Sequence, residues 1–231
     1  MNERVEESVE ALRTGLWHLR KGGPRQLAEF LRRRRRKGWR PAVLFREREG
    51  QRQFGPWRWP VANPRRPLRV GVIADAFTLA SFRYEWQQVE LTPSDWAEQL
   101  DGLDLVFVES AWNGNGGAWQ YHLTGPSAPR PAVVALVEGC RARGIPTVFW
   151  NKEDPTHFED FLDTARLFDW VFTTDVERVP AYRHRLGHGR VAALPFAVPE
   201  RVTNPVRVSR EHQPLGIAFA GTWFAHKYPE R

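Results

Sequence analysis

Leu103-Asp104-Leu105-Val106-Phe107-Val108 runs straight into Glu109-Ser110-Ala111-Trp112-Asn113-Gly114-Asn115, and the reading of this junction decides the fold. A short, almost wholly apolar run rich in valine predicts a strand buried on both faces, and the polar stretch behind it predicts a loop at the strand's carboxyl end. The same alternation extends outward in both directions. Upstream, residues 68–74 read as a first strand, 78–88 as a helix, 89–91 as a short second strand, and 93–98 as a helix start with proline and acids in the first turn. Downstream, 131–143 is a helix ended by Gly144, 147–150 a fourth strand, 158–167 a helix, 170–173 a fifth strand and 190–194 a sixth. Strands alternating with helices of about a dozen residues predict βα units, and so an α/β domain built on a parallel sheet.

The chain has 231 residues, 42% hydrophobic and 26% charged, which suits one α/β domain with an appendage and excludes disorder as its main state. Its apolar runs fall far short of the roughly 18 residues that a membrane-spanning helix needs, and a transmembrane segment is not expected. The opening MNERVEESVE carries no apolar core of a signal peptide, and Cys140 is the only cysteine, so a reducing, cytoplasmic setting is expected. The charge is divided unevenly. Residues 1–69 hold 19 Lys and Arg against 7 Asp and Glu, a net of +12, whereas residues 70–231 hold 15 against 20, a net of −5. The overall basicity therefore belongs to an extension, and the body of the protein is mildly acidic.

Within the extension, Val5, Val9, Leu12, Leu16 and Leu19 recur at helical spacing until Gly22-Gly23-Pro24, and Leu27, Phe30 and Leu31 predict a second short helix, making a helical hairpin. The second helix enters the run Arg32–Arg36, a candidate contact for an anionic surface, with a solvated basic helix end as the plain alternative. Residues 50–67, dense in Gly, Pro, Arg and Trp, read as a linker. The chain divides accordingly into the extension and linker (1–67), the α/β domain (68–206), and a connector with one further strand (207–231). That last strand, residues 216–221, is expected to open a second α/β domain, which makes the chain an incomplete or truncated one; its alternative is to complete the first sheet.

In open parallel sheets ligands bind beyond the carboxyl ends of the strands, so the residues there carry the argument. They are Asp75 after the first strand, Glu109, Trp112 and Asn115 after the third, Asn151-Lys152-Glu153-Asp154-Pro155-Thr156-His157 after the fourth, and Asp175 after the fifth. The fourth-strand loop is the densest. His157 can act as acid, base or phosphate ligand, while the bland reading makes Asp154 and Thr156 helix caps and Lys152 with Glu153 a solvated pair. Trp112 and Trp119 offer flat faces for a sugar or base, or pack inward. Other signals fail. The glycines at 114, 116 and 117 do not form G-x-G-x-x-G, Ser110 lacks the glycines of a nucleophile elbow, and His184 with His188 has no third partner for a metal.

The combination of Val108–Asn115 with Trp119 and Tyr121, Pro146-Thr147-Val148-Phe149-Trp150-Asn151-Lys152-Glu153-Asp154-Pro155 with His157-Phe158, Phe172-Thr173-Thr174-Asp175, Leu194-Pro195-Phe196-Ala197 and Phe219-Ala220-Gly221-Thr222-Trp223 resembles the CgeB-like glycosyltransferase family, related to spore-maturation proteins. The resemblance covers about residues 69–231. It implies the GT-B architecture of two facing Rossmann-like domains, of which this chain carries the N-terminal, acceptor-side one with helices on both faces of the sheet. It further implies a nucleotide diphosphate sugar as donor substrate, a carbohydrate-type, cell-surface or spore-type acceptor, and no metal or bound cofactor. His157, Glu153 and Asp154 would be catalytic. Asp75, Glu109, Trp112, Asn115, Asn151, Lys152 and Asp175 would bind substrate, and Gly221, Thr222, His226 and Arg231 the donor phosphates. With most of the donor domain missing, the chain alone is expected to be inactive. The alternative function is an inactive carbohydrate- or polyanion-binding module that uses the pocket or the Arg32–Arg36 run.

Overall fold

The computed structural model describes residues 3–35 and 62–199. Among these residues six parallel strands form one sheet: β1 (Arg69–Ile73), β2 (Gln87–Glu90), β3 (Leu105–Glu109), β4 (Thr147–Asn151), β5 (Trp170–Thr173) and β6 (Val191–Ala193), in the order β2-β1-β3-β4-β5-β6. The chain leaves β1 toward one edge and returns to place β3 on β1's other side, so the reversal of strand order lies between β1 and β3. The expected α/β, Rossmann-like sheet is therefore present, with α2 (Ala76–Phe82), α3 (Trp96–Gln99), α4 (Pro131–Ala142), α5 (Phe158–Ala165) and α6 (Val179–Leu186) as its connections.

Successive strand residues face opposite sides, and this alternation divides the core in two. Ile73, Val106, Val108, Phe149 and Val171 pack with Leu136, Cys140, Phe161, Leu162 and Tyr182 under α4 to α6. Val70, Val72, Phe107 and Trp150 point the other way, against Leu79 and Phe82 of α2 and against Trp86. Helices thus cover both faces unequally. Close approach on the larger side depends on missing side chains: a Cβ on Gly139 of α4 would meet the Trp96 ring at 2.5 Å, and one on Gly71 of β1 would meet Leu103 at 2.7 Å. Cys140 is buried, and burial pushes its thiol up to about 11, as expected of a packing residue.

Two elements differ from the sequence reading. The helix expected over 78–88 ends at Phe82, because the chain must reach the β2 register, where Arg69 lies opposite Gln87. Phe82 and Trp86 use the intervening turn to stack against each other at 5.1 Å and to cover Phe107 and Trp150. Packing here overrides a helical propensity that runs on without a breaker. The helix starting at Pro93 amounts to the single turn Trp96–Gln99, whose Gln99 side chain joins the Thr92 N–H and the Glu90 carbonyl.

The extension is α1 (Glu3–Arg35), broken at Gly23, where φ is 69° and ψ −171°. Only glycine adopts that geometry without strain, and Pro24 restarts the helix. The arms fold back on each other as a hairpin: the α-carbon side of Gly15 faces Leu27 and Phe30, and His18 stacks on Phe30 at 4.9 Å. His18 Nε2 and the Tyr121 hydroxyl share a hydrogen bond of 3.3 Å, which ties the hairpin to the loop after β3. Of the linker, residues 62–67 are described and form neither helix nor strand, with the Arg65 and Arg66 N–H groups donating to the carbonyls of Tyr84 and Glu85 at 2.9 and 3.0 Å; its residues 50–61, the strand expected at 216–221 and the end of the arginine run lie outside the described residues.

Candidate functional site

The carboxyl edge of the sheet collects most of the residues singled out above, and period-2 alternation sorts them between its faces. Glu109 ends β3 opposite Trp150, so its side chain points to the α2 face; Lys152, two residues past Trp150, points the same way. Asn151 and Thr173, register partners on β4 and β5, point to the face of α5 and α6.

On the α2 face the Glu109 carboxylate is wholly buried. Its Oε1 accepts the Asp75 N–H at 2.8 Å and pairs with Lys152 Nζ at 2.8 Å, while Oε2 has no hydrogen-bond partner among the described residues. Burial pushes the Glu109 pKa above the ordinary carboxylate value; the Lys152 charge and the neighbouring Thr78 hydroxyl oppose that rise. Lys152 also lies 3.9 Å from Asp75. It pairs across the sheet edge, and not with Glu153 as a solvated pair would. Beside this cluster, Phe77, Thr78, Ser81, Phe82, Trp150 and Phe196 line a shallow, solvent-open groove.

Asp75 and Asn115 shape the crevice between β1 and β3 by holding backbone. The Asp75 carboxylate accepts the N–H groups of Trp112, Asn113 and Gly114, at 3.1, 3.2 and 2.8 Å. The Asn115 amide donates to the carbonyls of Val72 and Leu91 and accepts the Ala74 N–H, from a left-handed backbone with φ of 46°. Trp119 is buried and donates its Nε1–H to the same Leu91 carbonyl at 2.8 Å. These side chains tie the glycine loop down onto β1 and the end of β2. Gly114 is required there: its φ is 55°, and a Cβ would meet that of Trp119 at 2.8 Å.

On the opposite face Asn151 donates to Asp154 Oδ1 at 2.9 Å, and Thr173 donates to Asp154 Oδ2 at 2.6 Å. Asn151 and the Tyr182 hydroxyl are 2.8 Å apart. Burial pushes the Asp154 pKa up against the lowering effect of the Thr173 and Tyr182 hydroxyls, and burial together with the Asp154 charge pushes the Tyr182 phenol up. Asp154 therefore joins β4 to β5 rather than capping α5. Asp175 caps the single turn after β5, accepting the Glu177 N–H at 2.9 Å.

His157 stands apart from both clusters. It occupies the N-cap position of α5, but its side chain makes no cap hydrogen bond. Nδ1 instead meets Asp160 Oδ2 at 2.8 Å, and the ring lies edge-on to Trp112 with centroids 5.0 Å apart. Trp112 is in turn edge-on to Phe161 at 5.4 Å, so the imidazole is held by a carboxylate on one side and an indole on the other. Its Nε2 has no hydrogen-bond partner among the described residues. Glu153 shares this turn, its carbonyl accepting the His157 N–H at 3.0 Å. A histidine with one nitrogen fixed by a carboxylate and the other open is the arrangement that moves protons.

The structure thus brings His157 and Trp112 together, joins Glu153 to His157 through its backbone carbonyl, and gives Asp75, Asn115, Asn151, Asp154 and Asp175 backbone or inter-strand partners. The sequence reading passed over Asp160, Thr78 and Tyr182. Asp160 was detectable, three residues after His157 on a helix, whereas nothing local marks Tyr182. Gly221, Thr222, His226 and Arg231 lie outside the described residues. Among the described residues no group of His, Cys, Asp and Glu side chains gathers in a way that would hold a metal ion, and no helix is long and apolar enough to cross a membrane. Compared with known proteins, the chain matches no family model, no curated protein and no solved structure. The resemblance to CgeB-like glycosyltransferases accordingly rests on the quoted motifs.

Proposed function

We propose that this chain is the acceptor-side domain of a glycosyltransferase that uses a nucleoside diphosphate sugar, with His157 as the base that takes the proton of the attacking acceptor hydroxyl. The observation that carries the reading is the Asp160–His157 pair, 2.8 Å apart, at the carboxyl end of β4 with Trp112 against the ring. Hydrogen bonding to Asp160 selects the tautomer with Nδ1–H and leaves the Nε2 lone pair to accept a proton, and the Asp160 charge stabilises the imidazolium that results. Trp112 supplies an apolar aromatic surface of the kind that sugar rings pack against. The acceptor oxygen then forms its bond to the anomeric carbon as the bond to the diphosphate breaks. The developing charge on that leaving group needs hydrogen-bond donors, a part that the resemblance gives to Gly221, Thr222, His226 and Arg231. Glu153, next in the same turn, is placed in this reading to orient the acceptor.

The test is an assay of the native gene product, at its native length, for release of nucleoside diphosphate from a panel of UDP-, GDP- and TDP-sugars with and without candidate acceptors. Turnover of at least one donor is expected, and His157→Gln should lower it about a hundredfold with little change in donor KM. Silence with every donor, or a His157→Gln variant as fast as the parent, overturns the reading.

A further inference from the structure

The hairpin of α1 turns its leucines the wrong way for a packing element. Leu12, Leu16 and Leu19 fall at i, i+4 and i+7, on one side of the first arm, and are 69%, 52% and 38% exposed. The side that meets other protein is the one bearing Thr14, Gly15 and His18: Thr14 is buried, Gly15 faces Leu27 and Phe30, and His18 reaches Phe30 and Tyr121. On the second arm Leu31 is 48% exposed as well. Cations flank the stripe. Arg13 follows Leu12, Arg20 lies one turn beyond Leu16, Arg25 follows the bend, and all three are exposed. Across residues 12–37 the sequence holds ten Lys and Arg against the single acid Glu29.

We infer that the α1 hairpin docks this protein on an anionic lipid surface, with Leu12, Leu16 and Leu19 entering the headgroup boundary and the flanking arginines meeting lipid phosphates. An exposed leucine row beside a dense block of cations matches a surface that is apolar within and negative outside. A second copy of the hairpin is a poor occupant, because it would set one strongly cationic segment against another. A nucleic acid would take the arginines and leave the leucines in water. The acidic body, with a net of −5 over residues 70–231, would be repelled from the same surface, which favours the hairpin as the point of contact. The inference is independent of the glycosyltransferase reading and stands or falls without it.

Flotation of the full chain with vesicles of phosphatidylcholine alone, or with about one third phosphatidylglycerol, tests it. Binding is expected to the anionic vesicles and to weaken at least about tenfold as salt rises from roughly 0.05 to 0.5 M. The triple variant Leu12→Ser, Leu16→Ser, Leu19→Ser should bind about tenfold or more weakly, with unchanged far-ultraviolet circular dichroism, since exposed leucines hold nothing in place. A second variant, Arg13→Gln with Arg20→Gln and Arg25→Gln, should also weaken binding and flatten its salt dependence, which keeps the test open if the leucine variant fails to fold. Four outcomes overturn the inference: no binding to anionic vesicles; equal binding to neutral ones; binding indifferent to the leucine changes while duplex DNA competes; or a sedimenting dimer that the leucine changes convert to monomer.

Discussion

The two faces of the sheet answer a buried carboxylate differently. On the α2 face Glu109 is met by a full charge, Lys152 Nζ at 2.8 Å, and its Oε2 has no hydrogen-bond partner among the described residues. On the α5 and α6 face Asp154 is met by neutral donors, Thr173 at 2.6 Å and Asn151 at 2.9 Å, with the Tyr182 hydroxyl at 3.4 Å. Burial raises both pKa values, but the force opposing it is led by one ammonium in the first case, with the Asp75 N–H and the Thr78 hydroxyl behind it, and divided in the second among the Thr173 and Tyr182 hydroxyls and the more distant Arg178 charge. An answer led by one charge loses most of its strength when that charge is removed; a divided one fails by degrees.

Lys152→Met breaks the case led by one charge and should have the largest effect. Stranding a buried carboxylate costs about 3 kcal/mol of unfolding free energy near neutral pH, read by urea denaturation. The deficit depends on pH, and its sign follows from the raised pKa. A carboxyl that holds its proton more tightly folded than unfolded loses stability as pH climbs from the unfolded pKa to the folded one. Removing Lys152 moves the folded pKa of Glu109 further up, so the deficit should shrink toward acid pH and grow as pH rises above the ordinary carboxylate range. Adding Glu109→Gln to the same chain should recover most of the loss. A deficit that is the same in acid as at alkaline pH breaks the comparison.

Thr173→Val tests the divided case and should cost less, about 2 kcal/mol, because Asp154 keeps Asn151 and Tyr182 while the Asp175 N–H loses its acceptor. Asp154→Asn carries the complementary signature. Since the folded pKa of Asp154 lies above its ordinary 3.8, the parent should lose stability relative to this variant as pH rises past that value. Parallel stability curves for the two proteins would mean that burial does not govern this carboxyl.

Much of this was legible in the residues alone, and what was not has a common cause. Trp170–Thr173 is a strand from end to end as its apolar run predicts, and β1, β3, β4 and β6 shift from their expected bounds by only a residue or two. Period 2 and period 3.6 are local properties, and they survive folding wherever the core demands them. Helix α2 was overestimated because the demand on Phe82 and Trp86 comes from Phe107 and Trp150, far along the chain. The candidate site obeys the same division. That Asp75, Glu109, Lys152 and Asp154 meet at one edge follows from strand ends; that Asp75 holds three N–H groups of another loop does not, because no spacing in sequence encodes a partner 37 to 39 residues away. Asp160 is the exception, a local partner that helical spacing would have yielded.

His157 supplies the smallest predicted effect on stability and the sharpest contrast with both buried carboxylates. It sits at an N-cap without capping, so His157→Gln removes no bond to the backbone of α5. What is lost is the Asp160 contact and an edge-on packing against Trp112, side chains that stay partly open to solvent. The expected loss is about 1 kcal/mol or less, visible as a small shift of the urea midpoint at unchanged slope. If the loss equals that of Lys152→Met, His157 is a third structural cluster, and its open Nε2 has no further meaning. If the loss is small and donor turnover collapses, the two effects separate on one residue. That separation distinguishes a group kept for its chemistry from the neighbours that hold the sheet edge together, because a structural role cannot lower a rate a hundredfold while leaving the fold nearly as stable as before.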